Sequence, residues 1–259
     1  MKASHRIFGI IIAIAVTAGL IAFTFAYDWF GPLIAEESGN IDNVYRWLLV
    51  ASIPFFVIIV GIIAFCILEF RADGDDDDRD GEPFHGSTRI EIVWTVIPTI
   101  IVVALGIYAW IVLDQVEAKQ PNELTINVVG QQFAWNYEYP QLGVKTSGDL
   151  VVPKNRPLYF EMTSVDVIHS FYIPNARLKR DTADGFTTRL RFTPDTTGTF
   201  PIVCAELCGI GHTTMRGTLR VVEPSEFTKW VASRKGPNAP KPTGANTISP
   251  LSPTGETGK

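Results

Sequence analysis

Cys204-Ala-Glu-Leu-Cys208-Gly-Ile-Gly-His212-Thr-Thr-Met215 gathers two thiols, an imidazole and a thioether in one short loop. Such soft and borderline donors select copper over magnesium or calcium. A single-copper blue site uses one Cys, one His and a weak axial Met, with a second His supplied by an earlier strand. Here a second Cys is added. Two thiolates four residues apart can bridge two copper ions, and a His from the loop plus a His from elsewhere then give each ion its own nitrogen. The loop therefore needs another His brought alongside it from elsewhere in the chain.

The chain holds four histidines, and His5 and His85 precede the region rich in short strands. His169 remains, in Val167-Ile-His-Ser-Phe-Tyr-Ile-Pro174, a strand-like segment closed by a proline turn. Other readings of the same residues stay open. Paired cysteines outside the cytoplasm commonly form a disulfide. Zinc accepts two Cys and two His in a tetrahedron, although Met215 then has no role. Glu206, between the cysteines, reads by itself as a solvated side chain.

Three apolar stretches precede this region, at about residues 7–27, 47–68 and 90–113, each long enough to cross a hydrocarbon core of about 30 Å. Lys2, Arg6, Arg71, Arg79 and Arg89 flank the spans on one side, which places the N-terminus and the acidic loop 71–89 in the cytoplasm and everything after residue 114 outside. Residues 1–27 are either a signal peptide cut after Ala26 or an additional membrane helix. Residues 45–114 form a helical hairpin in which Pro54 is tolerated because neighbours satisfy the freed carbonyl. Its connecting charge run lacks the spacing of a calcium loop and reads as solvated. Cys66, inside an apolar span, reads as packing. A net charge of -5 gives no reason to expect a nucleic-acid partner.

Beyond Asp114 the pattern becomes alternating and short. Strands are expected at Leu124–Val129, Phe133–Tyr139, Leu150–Val152, Leu158–Thr163, Thr187–Phe192, Gly198–Val203 and Thr218–Val222, with turn residues between them, which makes residues 115–232 an extracytoplasmic β-sandwich. The tract Gly130-Gln-Gln-Phe-Ala-Trp135-Asn-Tyr-Glu-Tyr139 reads first as aromatic packing. Residues 233–259, rich in Pro, Gly, Ser and Thr, read as a disordered tail. No Cys-x-x-Cys-His haem site occurs, so any electron donor is a separate molecule.

The loop motif Cys-x3-Cys-x3-His-x2-Met, His169 and the membrane spans together resemble subunit II of the haem-copper cytochrome c oxidases, the subunit that carries the CuA centre, over roughly residues 45–230. The resemblance implies a cupredoxin-like Greek-key sandwich. It implies that Cys204 and Cys208 bridge two coppers, that His169 and His212 are terminal ligands, and that Met215 and the Glu206 carbonyl are weak ligands. The Glu206 carboxylate would face magnesium or manganese shared with subunit I. The segment His85-Gly-Ser-Thr-Arg-Ile-Glu91-Ile-Val-Trp94-Thr-Val-Ile-Pro98 is similar to the family's second membrane helix, where a glutamate matching Glu91 stands at the mouth of a proton pathway. Phe133 occupies the place of a tryptophan through which electrons enter, and Trp135 matches the next tryptophan.

Implied partners are oxidase subunits I and III, cytochrome c or another small soluble carrier, and membrane lipid of a bacterial or archaeal cell, with the copper domain on the outer face. The implied activity is electron transfer to haem in subunit I, where oxygen is reduced with proton pumping. The copper subunit of a nitric oxide reductase would share these motifs. A membrane-anchored copper-delivery module would share the donor set but has no use for Glu91 or for the aromatic tract.

Overall fold

The computed structural model describes residues 3–71 and 85–235. Most of the acidic loop (72–84) and the tail from 236 lie outside the described residues. The chain divides into a helical unit, Met1–Gly31 with Gly39–Val116, and a β unit, Pro32–Ser38 with Glu117–Lys259.

The helical unit contains α1 (Ala3–Ala26), α2 (Glu36–Glu69) and most of α3 (Thr88–Glu117). All three are long and apolar enough to cross a membrane. Their apolar side chains are turned outward almost all round, as for Phe56, Leu68, Val102 and Trp110, because the medium they face is hydrocarbon rather than water. Pro54 and Pro98 lie within helices, and Thr17, Thr24 and Thr99 donate their hydroxyls back to carbonyls four residues earlier. At the end of α1 the rings of Phe23, Tyr27 and Trp29 pack together, 5.0–5.5 Å between centroids, the kind of amphipathic cluster that settles at a membrane surface. Both α2 and α3 run past the apolar windows of the sequence, since intrahelical hydrogen bonding continues where side chains become polar.

The β unit is two five-stranded sheets. One has the order β3 (Val144–Ser147), β2 (Ala134–Tyr139), β1 (Leu124–Gln131), β5 (Leu158–Ser164), β8 (Thr188–Phe192). The other runs β4 (Asp149–Pro153), β10 (Arg216–Val222), β9 (Gly198–Cys204), β6 (His169–Ile173), β7 (Leu178–Thr182). Two pairings are parallel, β1 with β5 and β4 with β10, and the others antiparallel. The inward faces carry Ile126, Val128, Trp135, Tyr137, Phe160, Met162, Phe171, Ile173, Leu219 and Val221, all fully or nearly fully buried. Burial of each such side chain contributes on the order of 1.5–3 kcal/mol, and this alternation is what commits the strands to a sandwich. Gly148, at φ +79°, turns the chain from β3 in one sheet to β4 in the other, a backbone conformation that L side chains seldom adopt.

Among the described residues, ten strands replace the seven expected. β3 and β7 are edge strands, and β7 reads Leu-Lys-Arg-Asp-Thr, with Arg180 where alternation would place an apolar residue. Charged edges of this kind prevent further strand pairing, and they erase the sequence signature. The second strand begins at Ala134, so Phe133 sits in the preceding turn rather than in the ladder. A helix, α4 (Pro224–Lys235), packs Phe227 and Trp230 on Tyr139, and it runs three residues past the expected domain limit of 232, so residues 233–235 are helical rather than part of a disordered tail. The linker Pro32–Ser38 also packs on the sandwich. Ile34 is fully buried and its carbonyl accepts from Asp195 N–H at 2.8 Å, while the Ser38 hydroxyl donates to the Ala176 carbonyl at 2.9 Å.

Candidate metal centre

The loop 205–215 joins β9 to β10, and the sheet register brings its ligands together. Cys204 pairs with Phe171 across β9 and β6, and Ala205 N–H donates to the Ser170 carbonyl at 2.9 Å. That contact sets His169, the first residue of β6, beside Cys204. At the far end Cys204 N–H donates to the Met215 carbonyl at 3.1 Å, closing the loop on itself. Gly209, at φ +127°, and a 3-10 turn over His212–Thr214 fold the remainder inward.

Five side chains converge as a result. The sulfurs of Cys204 and Cys208 are 3.8 Å apart and are not joined as a disulfide. His169 Nδ1 lies 4.0 Å from Cys204 Sγ, His212 Nδ1 lies 3.6 Å from Cys208 Sγ, and Met215 Sδ lies 3.7 Å from Cys208 Sγ. The Glu206 carbonyl is 3.2 Å from Cys204 Sγ, while its carboxylate is exposed and stands apart from the cluster. His169 and Met215 are 0% exposed. Among the described residues, the ligating atoms of His169, Cys204 and Cys208 lie within 4.8 Å of one another, a group that could hold a metal ion.

Sulfur sits about 2.3 Å from a zinc-sized ion, so thiols at this separation can share a metal without rearrangement of the backbone. The buried thioether at the same cluster is the feature that distinguishes copper chemistry from a closed zinc tetrahedron. Burial, with the adjoining Cys204 thiol, pushes the Cys208 thiol up to about 11. Partial burial acts to raise the Asp166 carboxyl, but hydrogen bonds from His169, the Gln132 and Val167 amides and Ser164 outweigh it and hold that group below the usual range.

The two aromatic candidates occupy different levels. Phe133 is half-buried and lies over the loop: a Cβ on Gly211 would stand 2.4 Å from its Cδ2, and one on Gly209 would stand 3.3 Å from its Cε1. Trp135 is fully buried, its ring 5.9 Å from the His169 ring and 5.1 Å from Phe171 in edge-on contacts. Glu91 is in the first turn of α3, in the helical unit, so it does not join this site. The sequence reading missed Asp166 and Gln132. The only signal for Asp166 was its place in Ser164-Val-Asp, a typical loop-capping pattern three residues before His169.

Every large apolar side chain that is exposed from Glu117 onward, among the described residues, lies in a loop: Val165, Val167 and Ile168 lead into His169, Phe186 joins β7 to β8, and Leu207 and Ile210 belong to the cysteine loop. Five of these six flank metal-ligand candidates in the sequence.

Comparison with known proteins gives the same two-part division. Residues 34–112 match the family described as cytochrome C oxidase subunit II, transmembrane domain, and residues 141–222 match cytochrome C oxidase subunit II, periplasmic domain. The chain is 28% identical to cytochrome c oxidase subunit 2 of Synechocystis sp., over 94% of this chain and 86% of the relative. It is 31% identical to the probable cytochrome c oxidase subunit 2 of Rickettsia prowazekii, over 78% of this chain and 71% of the relative. A crystal structure of the periplasmic domain of subunit II of cytochrome oxidase from Bradyrhizobium japonicum aligns at 32% identity and a TM-score of 0.43, over 44% of this chain and 94% of that one.

Proposed function

The chain belongs to the cytochrome c oxidase subunit II family, and from that premise we propose that its outer domain receives single electrons from a soluble carrier and passes them to haem in subunit I of a terminal oxidase. The observation that carries this reading is the convergence of two free thiols, two imidazoles and a thioether at the end of the sandwich facing the exposed loops. Cys204 and Cys208, together with His169 and His212, would hold a pair of copper ions, which would supply one-electron redox chemistry.

The protein holds the ligands still. His169 and His212 would serve as the nitrogen ligands, with Met215 and the Glu206 carbonyl as weaker ones. All but His169 lie on one loop whose two ends are tied by the β9–β10 ladder and the Cys204–Met215 backbone bond. A ligand set that cannot relax lowers the rearrangement needed at each transfer. The exposed Glu206 carboxylate, free of the thiol cluster, is left to meet magnesium or manganese at the subunit I boundary. Phe133, being half-buried over the loop, is better placed than fully buried Trp135 to meet the carrier. The aliphatic residues around the ligand loops provide apolar contact for cytochrome c or a similar small protein. Within the membrane, Glu91 near the cytoplasmic end of α3 serves the mouth of a proton pathway, where an ionisable group is costly and tends to be functional. Subunits I and III and lipid cover the exposed apolar faces of the three helices.

The test is electron paramagnetic resonance of the full chain in detergent after loading with copper. Hyperfine structure from one unpaired electron shared equally by two copper nuclei, lost in Cys208→Ser, is the expected result. The signal of one isolated copper, or no bound copper, would sink the assignment.

A further inference from the structure

We propose that Asp166 and Gln132 are positioning residues for the metal centre: Asp166 fixes the His169 imidazole, and Gln132 ties Asp166 to the cysteine loop. The inference deepens the copper reading above and rests on it.

Asp166 lies in the loop between β5 and β6, and its Oδ1 is 2.8 Å from His169 Nε2. An ionised carboxylate only accepts, so Nε2 carries the proton and the lone pair of the neutral ring is left on Nδ1. Nδ1 is the nitrogen that faces Cys204 Sγ, at 4.0 Å. One hydrogen bond thus sets both the tautomer and the direction of the ring.

The aspartate is itself held. Its Oδ2 accepts from the Gln132 backbone N–H at 2.7 Å, and its Oδ1 accepts from Val167 N–H at 2.7 Å. Gln132 occupies the turn between β1 and β2, and β1 runs parallel to β5, so the sheet delivers this turn beside the Asp166 loop. The Gln132 side chain then donates Nε2–H to the Cys208 carbonyl at 2.6 Å. A continuous chain of bonds runs from His169 through Asp166 and Gln132 to Cys208. Sheet pairing ties His169 only to the Cys204 end of the cysteine loop, through Phe171 and Ser170. The Asp166–Gln132 strap supplies the link to the Cys208 end.

The chemical consequence has two parts. A carboxylate on the far ring nitrogen makes the imidazole a stronger donor and fixes its orientation. Its negative charge also favours the oxidised metal. Removing the charge while keeping an acceptor oxygen separates the two effects.

The experiment uses the full chain in detergent, with labelled histidine, first without metal. The His169 Nε2 proton is expected as an exchange-protected imidazole signal in proton–nitrogen correlation spectra. Asp166→Ala loses it, and Asp166→Asn, whose amide oxygen still accepts, keeps it. After loading with copper alone, Asp166→Ala releases metal to a chelator roughly 10- to 100-fold faster. Asp166→Asn retains copper but shifts the centre to a higher reduction potential. Gln132→Leu, which keeps its backbone bond to Asp166, speeds copper release without moving the His169 proton signal. The inference is overturned by a wild-type Nε2 without its proton, by a signal unmoved in Asp166→Ala, or by an unchanged potential in Asp166→Asn. The imidazole measurement needs no copper, so its failure is distinct from a failure of the two-copper reading.

Discussion

Gly211 has no side chain because Phe133 fills the space one would need, with only 2.4 Å between a hypothetical Cβ and the ring. The backbone at Gly211 has φ -93°, which any residue tolerates, so the requirement is one of space alone. Gly211→Ala is therefore expected to destabilise the metal-free outer domain by about 1–3 kcal/mol, the usual cost of overpacking, and to loosen copper binding. Adding Phe133→Ala should recover part of that loss although it is damaging by itself, a non-additivity that denaturant titration of the four proteins would reveal. Additive losses would show that the ring and the loop do not press on each other. This contact also shows what could be read in advance. Cys204, Cys208, His212 and Met215 were legible because donor chemistry and short spacing lie in one stretch. Phe133 over Gly211, and Gln132 against Asp166, join positions far apart in the chain, and only strand pairing brings them together.

Tyr139 acts between elements. It stands on β2, in one sheet, and its hydroxyl donates to the Val151 carbonyl at 2.8 Å and accepts from the Val151 N–H at 3.0 Å, on β4 of the other. Burial raises its pKa, partly offset by the Val151 bond and by Arg234. A group whose folded pKa is raised contributes stability that is fully present below its unfolded value near 10 and is lost as pH rises above it. Tyr139→Phe leaves both Val151 groups buried without their partner, at a cost of about 1–3 kcal/mol at neutral pH. The difference in melting temperature between wild type and Tyr139→Phe should thus narrow from pH 9 to pH 11, and a constant difference would remove Tyr139 from the alkaline transition. Elements were legible where burial imposed alternation, as in β1 and β5, whose patterns begin buried, intermediate, buried. The edge strands β3 and β7 were not, since one face of each meets solvent and their charges serve to block further pairing. Helix α4 was missed because its mean character is polar, with only Phe227 fully engaged.

The molecule as a whole is built for two media, apolar helices for lipid and a closed sandwich for water, and the metal cluster belongs wholly to the second. Sheet register brings the ligands together before any ion binds, so the outer domain should fold without metal and gain stability from it by mass action alone. Copper at about a thousand times its dissociation constant should add about 4 kcal/mol, read as a higher melting temperature in the near-ultraviolet circular dichroism of the buried aromatic residues. The helical amide signal in detergent should not change, because no ligand lies on α1, α2 or α3. The sign of the pH dependence follows from Cys208, whose thiol is pushed up to about 11 by burial and by Cys204. Binding must release that proton, so apparent affinity rises with pH throughout the range below 11, and the copper-induced gain should be larger at pH 8 than at pH 6. A gain independent of pH would mean that binding releases no net proton and that the Cys208 thiol does not have to ionise. An outer domain that stays unfolded until copper is added would mean that the ion, rather than the β6–β9 register, assembles the ligands.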